Sequence, residues 1–380
     1  MPDTLLLNKI FINGQEAEYM KQAIEGSQSG GMLSGDGRFT KQVNDFLETT
    51  FKAHQVLLTH SCTGALEMAA ILANIQPGDE VIMPSYTFVS SANAFVLRGG
   101  VPVFIDVKPD SMNMDEKLIE AAITDKTKAI VPVHYAGAAC EMDTIMDIAE
   151  KYNLLVIEDA AQAIFATYKG RPLGTIGHLG CFSFHETKNI VCGEGGALLI
   201  NRKEFAARAE IIREKGTDRS AFLRGDSDKY TWRDVGSSYL PSDVSAAFLL
   251  AQLENGEEIT RRRQEAWARY DQRFRGTNCM QLPSYNSDIV INGHMYFGLL
   301  NEAGDRKAFI EGMRNGGVQT LSHYVPLHSS PAGLRYCRVS GSMQHTDDCS
   351  ARLVRFPMYC GIESSVDMIA DLALEMLSKN

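Results

Sequence analysis

The sequence predicts an α/β fold, with a large domain on a mostly parallel sheet covered by helices and a smaller C-terminal α+β domain. Between about Val56 and Ile200, short apolar runs alternate with helix-period stretches, the pattern of strands joined by crossover helices. Those apolar runs are nearly unbroken, as strands read when helices bury both faces. The 380 residues also exceed the roughly 100–200 of one domain. We place the domains at 1–250 and 251–380.

In order, Val56–Thr59 is a β-rich run and Ala65–Ile75 a helix stopped by Pro77-Gly78-Asp79. Val81–Met83 reads as a strand, Val89–Leu97 as a helix and Val101–Val107 as a strand. Asp115–Ile123 is helical, Ala129–Val133 extended, Ile145–Tyr152 helical and Leu154–Ile157 extended. Residues 216–241 are polar and aromatic with little periodicity, a long loop of the kind that carries function. One long helix starts at Ser242, a suitable N-cap, with Val244, Ala247, Phe248 and Ala251 on an apolar stripe that runs on towards Trp267. Glu257 and Glu258 stand four residues before Arg261 and Arg262, so Arg261-Arg262-Arg263 reads as a solvated, ion-paired face.

Hydrophobic residues make up 44% and charged residues 22%, an ordinary globular composition that excludes collagen-like and disordered chains. The formal charge, 37 − 47 = −10, disfavours a nucleic-acid partner. Eight cysteines occur without a C-x-x-C pair, and Met1-Pro2-Asp3-Thr4 has no basic leader pattern. No apolar run approaches the roughly 20 residues of a bilayer span, so the expectation is a cytoplasmic protein with reduced thiols and no membrane partner.

Several common chemistries find no motif: there is no G-x-G-x-x-G, Walker A or G-x-S-x-G sequence. Pro326 separates His323 from His328, which rules out a helical zinc pair, and no metal is expected. Four other segments combine better. Ser61-Cys62-Thr63-Gly64 opens a helix after a strand, where backbone N–H groups either cradle a phosphate or serve an ordinary N-cap. Phe88 follows the Val81–Met83 strand and either stacks on a bound ring or joins the core. Asp159, at the carboxyl end of an apolar strand, either pairs with a cationic ring nitrogen or caps a helix, and Gln162 lies about a turn on. Lys188, in Phe182-Ser183-Phe184-His185-Glu186-Thr187-Lys188-Asn189, precedes the glycine-rich Gly193–Gly196. It is either a solvated charge or a desolvated amine able to form a Schiff base.

An amine, a carboxylate, a stacking ring and a phosphate cradle together are what pyridoxal 5'-phosphate requires. On these segments, with Gly30-Gly31-Met32-Leu33-Ser34-Gly35 and His323-Tyr324-Val325-Pro326-Leu327-His328, the chain resembles the DegT/DnrJ/EryC1/StrS sugar aminotransferases, fold-type I pyridoxal-phosphate enzymes. The resemblance implies that Lys188 is the Schiff-base lysine and Asp159 the partner of the ring nitrogen. Gln162 would approach the ring hydroxyl and Phe88 would stack, while Cys62, Thr63 and Ser183 would lie at the cofactor and its phosphate. It also implies a homodimer with shared sites, in which the 216–241 loop enters the partner's site. Ser238, in Gly236-Ser237-Ser238-Tyr239-Leu240, stands where the family has the Asn that reaches the neighbouring phosphate, and Leu240 replaces an Arg. That marks a subgroup.

The implied substrates are L-glutamate and a nucleotide-linked (dTDP) 4-keto-6-deoxyhexose, giving a 4-amino-4,6-dideoxyhexose for surface polysaccharide. His323, Tyr324, His328, Arg224, Lys229 and Tyr230 are the candidates for substrate contact. The alternatives are a 3-keto sugar aminotransferase and a non-catalytic regulatory relative. Related sugar dehydratases carry His where Lys188 stands.

Overall fold

The computed structural model describes residues 4–378; Met1–Asp3 of the leader reading and the last two residues of the expected C-terminal domain lie outside the described residues. An eight-stranded sheet organises the chain in the order 55–59, 196–200, 179–183, 155–159, 127–130, 80–84, 101–105, 338–339. All its strands run one way except Gly196–Ile200, which is antiparallel to both neighbours.

Strand alternation explains the unbroken apolar runs. Val56, Leu58, Ile82, Val103, Ile130 and Val156 face one buried layer, packed with the helices Arg38–Phe51, Met142–Tyr152 and Asp243–Glu254. Leu57, Val81, Met83, Phe104, Ala129 and Ile157 face the other, packed with Cys62–Leu72, Val89–Val96 and Ala206–Arg213. Both faces are dry, so neither set of alternate positions can be polar.

A second, three-stranded antiparallel sheet joins Met280–Gln281, Tyr296–Leu300 and Leu353–Phe356. Its core includes Tyr270, Phe274, Phe309 and Ile369, from the helices that cover it. Two segments cross the expected boundary at residue 250. Leu5 bridges to Val318 beside the small sheet, while Arg338–Val339 adds the edge strand of the large one.

Three expectations change. The single helix from Ser242 is two, Asp243–Glu254 and Gly256–Phe274, broken at Asn255. A Cβ at Gly256 would lie 2.5 Å from the Phe165 ring, so the break sits where the chain passes closest to that side chain. The 216–241 segment contains a six-residue helix, Arg219–Arg224, too short to show a period in sequence. Arg263 is not solvated: it is 4% exposed. Ile259, Arg263, Ala266, Tyr270 and Phe274 share one buried face at helical spacing, so consecutive arginines must diverge. The Arg263 guanidinium donates to the carbonyls of Gly293, His294 and Met358 at 3.1, 2.8 and 3.1 Å. Arg261 pairs with Glu258 and Glu265, and Arg262 with Glu363.

Candidate active site

The parallel strands Glu80–Pro84, Leu155–Asp159 and Leu179–Ser183 end at a common cavity of about 420 Å³. Ligands bind at this end of open α/β sheets because loops and helix N-termini converge there. Alternation sends Glu158 and Asp159 to opposite sides of the strand. Glu158 is fully buried and structural, accepting from Ile176 N at 2.7 Å, Gly177 N at 2.6 Å, Gly174 N at 2.8 Å and His134 Nε2 at 2.8 Å. Cys140 N donates to His134 Nδ1, so that ring gives its proton to Glu158 from Nε2.

Asp159 faces the cavity and is 5% exposed. Its Oδ2 accepts from Ser91 Oγ at 2.6 Å, and Ser91 Oγ lies 2.8 Å from Thr87 Oγ1, forming a relay of hydroxyls. Its Oδ1 accepts from Ala161 N at 3.2 Å, closing a turn; no helix begins there, so the helix-capping alternative falls away. No cation pairs with Asp159 within salt-bridge distance among the described residues. A buried carboxylate satisfied by neutral donors is a fitting partner for a protonated ring nitrogen.

Beside it begins the Cys62–Leu72 helix, with Ser61 as N-cap accepting from Gly64 N at 3.0 Å. That bond uses the third amide of the helix and leaves those of Cys62 and Thr63 at the cavity. Gly196 makes the approach possible, since a Cβ there would lie 2.3 Å from Cys62 N. Thr63 Oγ1 is 2.8 Å from Ser90 Oγ, and Ser183, at the end of its strand, lines the same side. Hydroxyls and unbonded helix amides together suit a phosphate.

Lys188 enters from the turn after Ser183, its backbone N bonded to His185 O at 2.9 Å. The next residue anchors the turn: Asn189 is buried, donates to Asn292 O at 3.0 Å and meets His294 Nδ1 at 2.9 Å. The Lys188 side chain is half-buried and lines the cavity. Desolvation holds its ammonium below the ordinary lysine value, against the pull of negative charge at Cys62 and Asp159. Burial pushes the Cys62 thiol well up, so it is a neutral wall residue. A lysine biased towards the free amine is the form that attacks a carbonyl.

Gln162 Oε1 accepts from Ala136 N at 2.7 Å and its Nε2 donates to Tyr324 Oη at 3.1 Å, leaving one amide hydrogen for a ligand. Phe88 lines the cavity yet is 56% exposed, the reverse of a core phenylalanine, with its ring 6.3 Å from that of Tyr324. His323 also lines the cavity, and burial, followed by the charges of Arg355 and Lys188, holds it down at about 2, as a neutral imidazole.

Cys62, Thr63, Phe88, Asp159, Gln162, Ser183, Lys188, His323 and Tyr324 therefore meet in one cavity. The remaining candidates lie elsewhere in this chain. Ser238 and Tyr230 line a separate hollow with Ser34, Gly35 and Arg219. Arg224 is engaged by Glu210 and Asp226, and Lys229 is exposed. His328 sits behind the wall, its Nδ1 2.8 Å from Ser85 Oγ. Sequence reasoning missed Ser91 and Thr87, which hold Asp159; their only signal is a run of hydroxyls around Phe88. It also missed His185 and Glu194 on the rim.

The DegT/DnrJ/EryC1/StrS aminotransferase family model matches residues 14–371. The spore coat polysaccharide biosynthesis protein SpsC of Bacillus subtilis is 34% identical over 323 residues, 83% of this chain and 82% of that protein. The GDP-perosamine synthase of Caulobacter vibrioides is 30% identical over 367 residues, 94% of each chain. The crystal structure of the aminotransferase TlmJ from Streptoalloteichus hindustanus superposes with a TM-score of 0.89 at 27% identity, covering 99% of each chain. With a pattern of this length and a cavity of this make-up, the chain belongs to the DegT/DnrJ/EryC1/StrS aminotransferase family, whose members are pyridoxal-phosphate-dependent.

Proposed function

We propose that this aminotransferase moves the amino group of L-glutamate to the keto carbon of a nucleotide-linked 4-keto-6-deoxyhexose, giving a 4-amino-4,6-dideoxyhexose for polysaccharide synthesis. The observation that carries the catalytic assignment is the placement of a half-buried Lys188 and a buried, cation-free Asp159 in one cavity. The sugar class is supported by the family and by the polysaccharide and perosamine relatives.

When bound, pyridoxal phosphate supplies the electron sink for the carbanion left by proton removal next to nitrogen. Thr63, Ser183 and the amides of Cys62 and Thr63 would hold its phosphate. Asp159, oriented by Ser91, would keep the ring nitrogen protonated. Phe88 would stack on the ring, and Gln162 would offer its spare amide hydrogen to the ring hydroxyl. Lys188 would hold the cofactor at rest and, as a free amine, would carry the proton taken from the donor's α-carbon. A positioned acid–base of this kind is worth about 10²–10⁴-fold.

We assign the second hollow, with Ser238 and Tyr230, to the partner's site in a homodimer. Exposed apolar residues along its 216–241 segment support this, with Leu223, Tyr230 and Trp232 54%, 51% and 81% exposed.

The carrier is tested by incubating the enzyme with glutamate and either dTDP-4-keto-6-deoxyglucose or a GDP-linked 4-keto-6-deoxyhexose. NMR of the product locates the amine. Amination at carbon 4 of the dTDP sugar is the expected result; preference for the GDP sugar would move the carrier assignment, and amination at carbon 3 would overturn the 4-keto reading.

A further inference from the structure

Asn292 stands just before the Tyr296–Leu300 strand of the small sheet and is fully buried. Its side chain reaches the loop after the Leu155–Asp159 strand, where Nδ2 donates to the carbonyls of Gln162 and Ile164 at 2.9 and 2.8 Å. Oδ1 accepts from His294 N at 3.0 Å, so both ends of the carboxamide are engaged. The main-chain carbonyl of Asn292 serves a different loop. It accepts from Asn189 Nδ2 at 3.0 Å, and Asn189 is the residue after Lys188. The remaining oxygen of Asn189 takes the Nδ1 proton of His294 at 2.9 Å. Room for Asn292 is built into a neighbouring turn. A Cβ at Gly137 would lie 2.0 Å from Asn292 Oδ1, and Ala136 of that turn donates its N–H to Gln162 Oε1 at 2.7 Å.

Asn292 therefore joins two loops that the large sheet sends to the cavity separately. Gln162 follows the Leu155–Asp159 strand and Lys188 follows the Leu179–Ser183 strand. These strands are paired, but both residues lie beyond the last register partners, Asp159 and Cys181. Past that point the sheet no longer sets their separation. A buried network with its members satisfied holds a single arrangement, and this one bonds the carbonyl of one cavity residue and the immediate neighbour of another. A role in stability alone would not select those two places.

We propose that Asn292 is a positioning residue that sets the distance between the Lys188 amine and the Gln162 amide, an assignment that rests on the site reading above. Asn292 is not among the residues lining the cavity, so it acts through these two. When the cofactor is attached, the Lys188 nitrogen bonds to the aldehyde carbon and the aldehyde oxygen leaves as water. That step needs the amine at its attack position while Gln162, Asp159 and the phosphate cradle hold the ring. A misplacement of about 1 Å between such groups costs about 10²-fold in rate.

The test uses the 380-residue chain freed of cofactor, as wild type, Asn292→Ala, Asn189→Ala and the double variant. One reading is the rate at which added pyridoxal phosphate develops the visible band of lysine attachment. The other is calorimetric binding of pyridoxamine phosphate, which has no aldehyde and cannot bond to Lys188. Each single variant is expected to slow attachment by about 10–100-fold. The double variant should be no slower than the worse single one, because both substitutions cut one tie. Pyridoxamine phosphate should bind Asn189→Ala as it binds wild type. It should bind Asn292→Ala up to about tenfold more weakly, the worth of the Gln162 hydrogen bond. Attachment at the wild-type rate in folded Asn292→Ala would overturn the proposal, as would a lowered melting temperature with both readings unchanged. Equal losses in the two readings for both single variants would show general loosening and overturn it as well. If Asn292→Ala does not fold, Asn189→Ala decides by the same two readings. Wild-type protein that binds neither form of the cofactor would instead sink the aminotransferase reading itself, and the role of Asn292 with it.

Discussion

Ser91 Oγ donates to Asp159 Oδ2 at 2.6 Å, and this bond fixes the direction in which the buried carboxylate faces the cavity. Ser91 lies in the first turn of the Val89–Val96 helix, so the helix after one strand orients the acid at the end of another. Ser91→Ala should keep the fold and loosen the cofactor. The lost bond is worth about 1.5–3 kcal/mol, so cofactor release should rise by about 10–100-fold. Equilibrium dialysis against apo-buffer measures it, and retention equal to wild type would show that Asp159 needs no such support.

Lys188 and Asp159 should fail differently. Lys188→Ala keeps the phosphate cradle and Asp159, so it should bind cofactor yet lose at least about 10²-fold in turnover. Asp159→Ala keeps the amine and should still load, with cofactor held about 10-fold or more less tightly and both half-reactions slowed. Stopped-flow spectra with glutamate, then with ketosugar, separate the two. Turnover of Lys188→Ala near the wild-type rate would move the base to another residue.

Burying neutral histidines sets an acid limit. Burial holds His294 well below its ordinary value and also lowers His178. The folded-state values lie below the unfolded one near 6.5, so this stability is present above about pH 6.5 and is lost as pH falls. For His294, which is buried, the slope approaches about 1.4 kcal/mol per pH unit below that point. Thermal unfolding between pH 7 and 5, with proton uptake measured in two buffers, checks the sign. A midpoint that holds or rises towards pH 5 would contradict it.

Arg263 is expected to be a stability residue without a catalytic role. Arg263→Ala leaves the Gly293, His294 and Met358 carbonyls without this donor and should cost about 1–3 kcal/mol. Urea unfolding gives the value; a loss under about 0.5 kcal/mol, the level of an ordinary surface change, would restore the solvated reading.

The large sheet was legible because its strands are buried on both faces and their apolar runs cannot be mistaken for exposed ones. That Lys188 and Asp159 meet in one cavity was legible because one ends and the other closely follows such a strand, and the cofactor chemistry expected of them needs both together. Ser91 was not, since a serine beside another serine carries no mark of which one turns inward. Arg263 was misread because three adjacent charges look like a surface, although successive helical side chains point about 100° apart. The break at Asn255 falls on an Asn-Gly pair, a local turn signal that the continuous apolar stripe masked, and Gly256 there lies against Phe165, some ninety residues away.

The most direct test of the site is covalent. Purified protein supplied with pyridoxal phosphate should show a visible absorption band that borohydride bleaches, fixing the cofactor to a single peptide. That peptide should contain Lys188, and Lys188→Ala should take up no label. A label on any other lysine, or a colourless protein that remains inactive with added cofactor, would contradict the assignment.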